Sequence, residues 1–195
     1  MIESLRRFSV ATLLLLLPLA VIAPRVAAQD AAKVQEPDYA NSFFYLDTAG
    51  KMQPLEREPV GVGSKVHALG FGGADASYQV KNPHSTVRFA AGAPIAIIVK
   101  LEDTKVDPAN VVVLYPLQVN KDHRQLMITK VGFMGMHAKS DMQDKQMQLN
   151  FAKYGQESTK VTMAAPLAPG EYAIAVQPTP GQQTIAYCFG IDPAN

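Results

Sequence analysis

The chain has 195 residues with 18 Lys+Arg against 17 Asp+Glu, a net charge of +1. Without a basic run, such a near-neutral chain lacks the electrostatic grip that nucleic acid or an anionic lipid surface requires. Its single cysteine, Cys188, excludes an intramolecular disulfide, so stability has to come from burial, for which one ordinary core suffices at this length.

Residues 1–28 begin with Arg6 and Arg7, run through an apolar stretch from Phe8 to Ala23 broken by Pro18, and leave through Val26-Ala27-Ala28. That order is the pattern of a secretory signal peptide. The apolar stretch is shorter than the roughly 20 residues that span a bilayer comfortably, so cleavage after Ala28 is expected, with Gln29 as the new N-terminus and no membrane span in the mature chain. No cysteine follows the stretch to carry a lipid anchor. The expected location is periplasmic or extracellular. Removing residues 1–28 takes Arg6, Arg7 and Arg25 from the cations and Glu3 from the anions, which leaves 15 against 16 and a net charge of −1.

Residues 29–41 are polar and alanine-rich without periodicity, which predicts a flexible leader; the folded domain is expected over 42–195. From Ser42 onward, short runs alternate apolar and polar residues between Gly, Pro, Asn and Asp, the pattern of an all-β domain. Ser42 to Asp47 and Lys51 to Glu58 flank Thr48-Ala49-Gly50 as a hairpin, with Pro54 pointing to an edge position. Further strands fit at Lys65 to Leu69, Ser77 to Lys81 and Thr86 to Ala90. Pro94 to Leu101 and Asn110 to Val119 are almost continuously apolar, which predicts central strands covered on both faces. Gln125 to Lys130 follows. Gln146 to Lys153 alternates Met147, Leu149 and Phe151 with Gln148, Asn150 and Ala152. Val161 and Met163, then Tyr172, Ile174 and Val176, then Ile185, Tyr187, Phe189 and Ile191 repeat the same period.

Two sheets are needed to bury so many half-apolar strands. The expected fold is therefore a single antiparallel β-sandwich of Greek-key, immunoglobulin-like type. Leu167-Ala168-Pro169-Gly170-Glu171-Tyr172 has the form of a tyrosine corner, in which Pro169 and Gly170 make the turn and Tyr172 bonds back to the preceding backbone. An ordinary turn followed by a buried tyrosine fits the same residues.

Phe43-Phe44-Tyr45-Leu46-Asp47, Pro54-Leu55-Glu56-Arg57-Glu58, Val87-Arg88-Phe89, Pro166 to Ala173 and the ending Phe189-Gly190-Ile191-Asp192 resemble segments of uncharacterised secreted bacterial proteins with a β-sandwich-like domain. The resemblance runs through most of the mature chain. It implies an exported sandwich and carries no activity and no functional residue.

Gly61-Val62-Gly63-Ser64-Lys65 and Gly70-Phe71-Gly72-Gly73 have neither the spacing of a phosphate loop nor a helix to open, and read as loops between strands. The sequence holds no Gly-x-Ser-x-Gly elbow and no His-Glu-x-x-His. Cys188 falls on the pleat face opposite Tyr187 and Phe189 in a deeply packed run, so a buried, inert thiol is expected. Glu56 and Glu58 share one face of a strand; paired-carboxylate chemistry would need that, but charges on the exposed face of an edge strand explain it more simply. His67, His84 and His123 lack a convergent second ligand and read as scaffold or surface.

Met134, Met136, His137, Met142 and Met147 are a concentration out of proportion to the 8 methionines of the chain. Thioether and imidazole together form a soft donor set suited to Cu(I), with Met134, Met136 and His137 as the candidate ligands; the competing reading makes Met147 core and the others adaptable apolar filler. The leading expectation is an exported, non-enzymatic structural or binding module without a cofactor, meeting a protein or cell-envelope component through loops or an edge strand. The alternative is an extracytoplasmic copper-binding protein.

Overall fold

The computed structural model describes residues 34–66, 74–131, 139–140, 142–177 and 181–194. All belong to one compact unit, Ala32–Asn195. Residues 1–28, His67, and the candidate ligands Met134, Met136 and His137 lie outside the described residues.

The fold is all-β, 52% strand and 6% helix. It opens with β1 Phe43–Leu46, β2 Met52–Pro54, β3 Glu56–Pro59, β4 Gly61–Val66, β5 Ala74–Lys81, β6 Arg88–Phe89 and β7 Ala96–Lys100. After the single-turn helix α1 Pro108–Val111 come β8 Val112–Val119, β9 His123–Val131 and β10 Lys139–Ser140. A second short helix, α2 Met142–Lys145, precedes β11 Leu149–Tyr154, β12 Ser158–Met163, β13 Gly170–Val176 and β14 Ile185–Ile191.

One sheet has the order β11-β12-β7-β1-β2 and the other β3-β14-β13-β8-β9-β5-β4, with β6 added in parallel to β14 and β10 to β9. Their facing surfaces hold the main core: Phe43, Ile97, Val99 and Val161 from the first sheet meet Leu114, Tyr172, Ile174 and Phe189 from the second. Tyr172 stacks on Phe189 with centroids 5.6 Å apart, and Phe89 meets Phe189 edge-on. At the start of β13 the Tyr172 hydroxyl donates to the Ala168 carbonyl at 2.7 Å, across the turn that Pro169 and Gly170 make.

The second sheet does something that two flat facing layers would not. Leu55 is buried and its N–H donates to the Phe43 carbonyl, which ends β2's pairing with β1 and sends the chain across to pair β3 with β14. One residue later, past Val60, the same extended run becomes β4 and pairs with β5. The two ends of this sheet are thus consecutive pieces of one strand, and the sheet curls into a six-stranded barrel.

Several boundaries depart from the sequence pattern. Gly61 to Lys65 is not a loop: it is most of β4, in register from Gly61↔Gln79 to Val66↔Ala74. The Gln79 side chain lies over Gly63, in the space a Cβ would take. Asn110 and Val111 belong to α1, which begins at Asp107, whose side chain accepts from Ala109 N–H, with Pro108 in the first turn. Strand β11 starts only at Leu149, since the Met147 N–H turns away to the Leu114 carbonyl. Pairing near Thr86 shrinks to Arg88–Phe89 because Ser85 and Thr86 donate to a carboxylate instead.

Candidate functional site

The alternation that buries Tyr172, Ile174 and Leu114 in the main core turns Ala173, Ala175 and Tyr115 to the opposite face of the same sheet. There they meet Val80 and Leu126 across the barrel, with Val60 and Ala186 completing the ring. Small side chains on β13 and β14 leave this interior unfilled. The result is a cavity of ≈ 240 Å³, lined mostly by apolar atoms and partly open to solvent.

Its polar lining residues are Tyr78, Tyr115, Arg124, Gln177 and Thr184. Tyr78 on β5 and Tyr115 on β8 both line the cavity, and neither hydroxyl has a hydrogen-bond partner among the described residues. Burial raises the Tyr115 pKa, and the nearby Tyr78 raises it further, so Tyr115 remains a neutral donor at physiological pH. Met142 of α2 also lines the cavity, whereas Met147 packs on the main core.

The same interior also holds charge, since Arg124 lines the cavity. Arg124 on β9 is fully buried. Its Nη2 donates to Glu56 Oε1 at 2.8 Å and to the Lys81 carbonyl at 3.0 Å, its Nε to the Asn82 carbonyl at 3.0 Å and its Nη1 to Glu171 Oε2 at 3.5 Å. Glu171, on β13, also accepts the Ser85 N–H at 2.9 Å and a hydrogen bond from Arg88, and lies 3.2 Å from His84 Nδ1. Arg88 reaches on to Asp192, its guanidinium lying over Gly190, where a Cβ would block it. Burial pushes the Glu56 pKa up, but donation from Ser85, Arg124 and Thr86 outweighs it, and the carboxyl sits below its ordinary range. Glu56 is therefore not an exposed edge charge: its side chain is 8% exposed and is one wall of this network. An isolated charge would be very costly here; compensated charges are tolerable.

Cys188 is fully buried on the barrel face, and burial pushes its thiol up to about 12, so it stays protonated. His123 pairs with Asp122 at 2.7 Å in the β8–β9 turn. Among the described residues, no group of three or more His, Cys, Asp or Glu is arranged to hold a metal ion.

The Arg124 network left one trace in the sequence. Arg124, Leu126 and Ile128 are in phase, and so are Glu171, Ala173 and Ala175, so each charge continues an apolar face. Nothing local says that those faces meet. No known protein family, curated protein or solved structure matches the chain.

Proposed function

We propose that this is an exported, non-enzymatic binding module whose barrel takes up one small, neutral, mainly apolar molecule. The observation that carries this reading is the ≈ 240 Å³ apolar cavity, partly open to solvent. Apolar wall left facing water in a concave site is stabilised when an apolar ligand covers it. A dry cavity of about 150 Å³ accommodates benzene, which scales to about ten non-hydrogen atoms here. Charge complementarity sets the ligand's charge. The cation on the wall, Arg124, already sits between Glu56 and Glu171, so an incoming anion would meet two carboxylates and an incoming cation would have to compete with Arg124.

The signal-like residues 1–28 support export. The order β1-β7-β12-β11 facing β8-β13-β14, with Tyr172 bonded back at the head of β13, supports reading the two facing sheets as a Greek-key, immunoglobulin-like sandwich. The barrel is then an elaboration of one of its sheets.

Calorimetric titration with butylbenzene tests the reading. Saturable one-to-one binding is expected, together with its loss in Ala175→Phe, which places a ring in the cavity while leaving the main core untouched. Absence of saturable binding by the folded wild-type protein, or undiminished binding by Ala175→Phe, would overturn it.

A further inference from the structure

We propose that the turn between β11 and β12 is a preformed binding site for one carboxylate, which the chain fills with its own Glu36 and which takes up a carboxylate from solution when Glu36 is withdrawn. The site is separate from the barrel cavity, since neither Glu36 nor any residue of the turn lines that cavity.

The donors are set by the hairpin and not by the anion. Strand pairing from Leu149↔Met163 to Tyr154↔Ser158 fixes both ends of the turn, and Gly155, at φ 63°, takes the left-handed backbone that starts it. Successive N–H groups in such a turn point into one concavity, an arrangement suited to anions. Here the Gln156 and Glu157 N–H groups and the Ser158 hydroxyl converge on one group. Ser158 is only 4% exposed, so packing holds its hydroxyl in place. Gly155 keeps the seat free, because a Cβ there would take the space of the Glu36 carboxylate.

The geometry selects a carboxylate. Oε1 accepts the Gln156 N–H at 2.7 Å, while Oε2 accepts the Glu157 N–H at 2.9 Å and the Ser158 hydroxyl at 2.7 Å. Two oxygens of one planar group are used, and a monatomic anion spans such donors less well. A cation stands beside the seat: Lys100 is opposite Ser158 in the β7–β12 ladder, and the charges on Glu157, Glu36 and Asp38 raise its pKa.

The occupant is held at few points. Of residues 34–40, Val34, Gln35, Asp38, Tyr39 and Ala40 are exposed, and only Glu36 and the buried Pro37 are docked. Backbone pairing with β7 begins later, at Asn41, whose N–H donates to the Lys100 carbonyl. Removing the Glu36 carboxylate therefore empties the seat without touching a strand. Gln156, Glu157 and Ser158 also border an open groove of ≈ 610 Å³ that runs past Leu101, Pro108 and Phe151, which gives a small carboxylate a way in.

Glu36→Ala, titrated with sodium acetate and with sodium chloride at equal ionic strength, tests the site. The Gln156 and Glu157 amide proton resonances, displaced by the substitution, should return saturably toward their wild-type positions with acetate and not with chloride. Acetate at about 100 mM should recover about half or more of the lost urea midpoint, as a ligand that binds only the folded state does. Adding Ser158→Ala should weaken acetate binding about ten-fold, through the loss of one bond to a charged acceptor. Wild type, its seat already filled, should show no such amide response. Acetate that acts no differently from chloride on folded Glu36→Ala, affinity unchanged by Ser158→Ala, or an equal amide response in the wild type would overturn the site.

Discussion

Arg124 and Glu56 are joined by a 2.8 Å ion pair although 68 residues separate them in sequence and their strands, β9 and β3, are not neighbours in the sheet. The bond therefore crosses the lumen of the barrel. Glu171 on β13 meets the same guanidinium from a third strand, so one fully buried cation ties three parts of the wall together.

Removing Arg124 should be severe. Arg124→Met leaves Glu56 and Glu171 buried without their counter-charge and frees the Lys81 and Asn82 carbonyls, for which a loss of about 3–5 kcal/mol is expected. Neutralising the partners as well, in Arg124→Met with Glu56→Gln and Glu171→Gln, should recover part of that loss. Urea midpoints measure both. A single variant no less stable than a surface substitution would mean that the network does not hold the barrel closed.

The all-β class was legible because Tyr172, Ile174 and Val176, and Ile185, Tyr187, Phe189 and Ile191, alternate without interruption, and alternation is a local property. Barrel closure was not. It depends on Leu55 diverting the chain between sheets and on Gly61 and Gly63 continuing as strand, and glycine composition argues for a loop whenever the neighbouring strand is unknown. Glu56 illustrates the same limit from the side of the site. An acidic residue at every second position looks like a solvent face until a distant arginine is known to cover it. Cys188 and Met147, by contrast, were placed by strand phase alone, which suffices when the surrounding residues are apolar.

Tyr172→Phe should remove one bond and little else. Its hydroxyl donates to the Ala168 carbonyl at 2.7 Å, while its ring, stacked on Phe189, is retained. Ala168 is exposed and water can replace the lost donor, so about 1 kcal/mol is expected rather than the larger cost of an orphaned buried acceptor. A denaturant midpoint equal to wild type would show that the corner is held by its turn and ring packing alone.

Cys188 should be silent in the native state. It is fully buried and its thiol is pushed up to about 12, so neither access nor thiolate is supplied at neutral pH. A thiol reagent is expected to modify the protein only as fast as the barrel opens, and at the unhindered rate in denaturant. Rapid labelling of the folded protein would contradict the packing around β14.

Glu36 should make the acid stability of the domain depend on one carboxylate ahead of β1. It accepts the Gln156 N–H at 2.7 Å, the Glu157 N–H at 2.9 Å and the Ser158 hydroxyl at 2.7 Å, and so holds the β11–β12 turn. Those bonds, the Gln156 backbone first, lower its pKa from 4.5 to about 2. A carboxyl whose folded pKa is depressed contributes stability that is fully present above its unfolded value and is lost as pH falls toward the folded one. The window here is therefore pH 4.5 down to about 2. Glu36→Gln should cost about 1 kcal/mol at neutral pH, at the low end for bonds to a charged acceptor because the site is partly open to water. Glu56, Asp47 and Asp122, whose pKa values are also lowered, titrate in both proteins and cancel in the comparison. The stability gap between wild type and Glu36→Gln should then close across that window and vanish near its lower end. A gap that stayed constant with pH would mean that the turn is held by the geometry of its hydrogen bonds and not by the charge on Glu36.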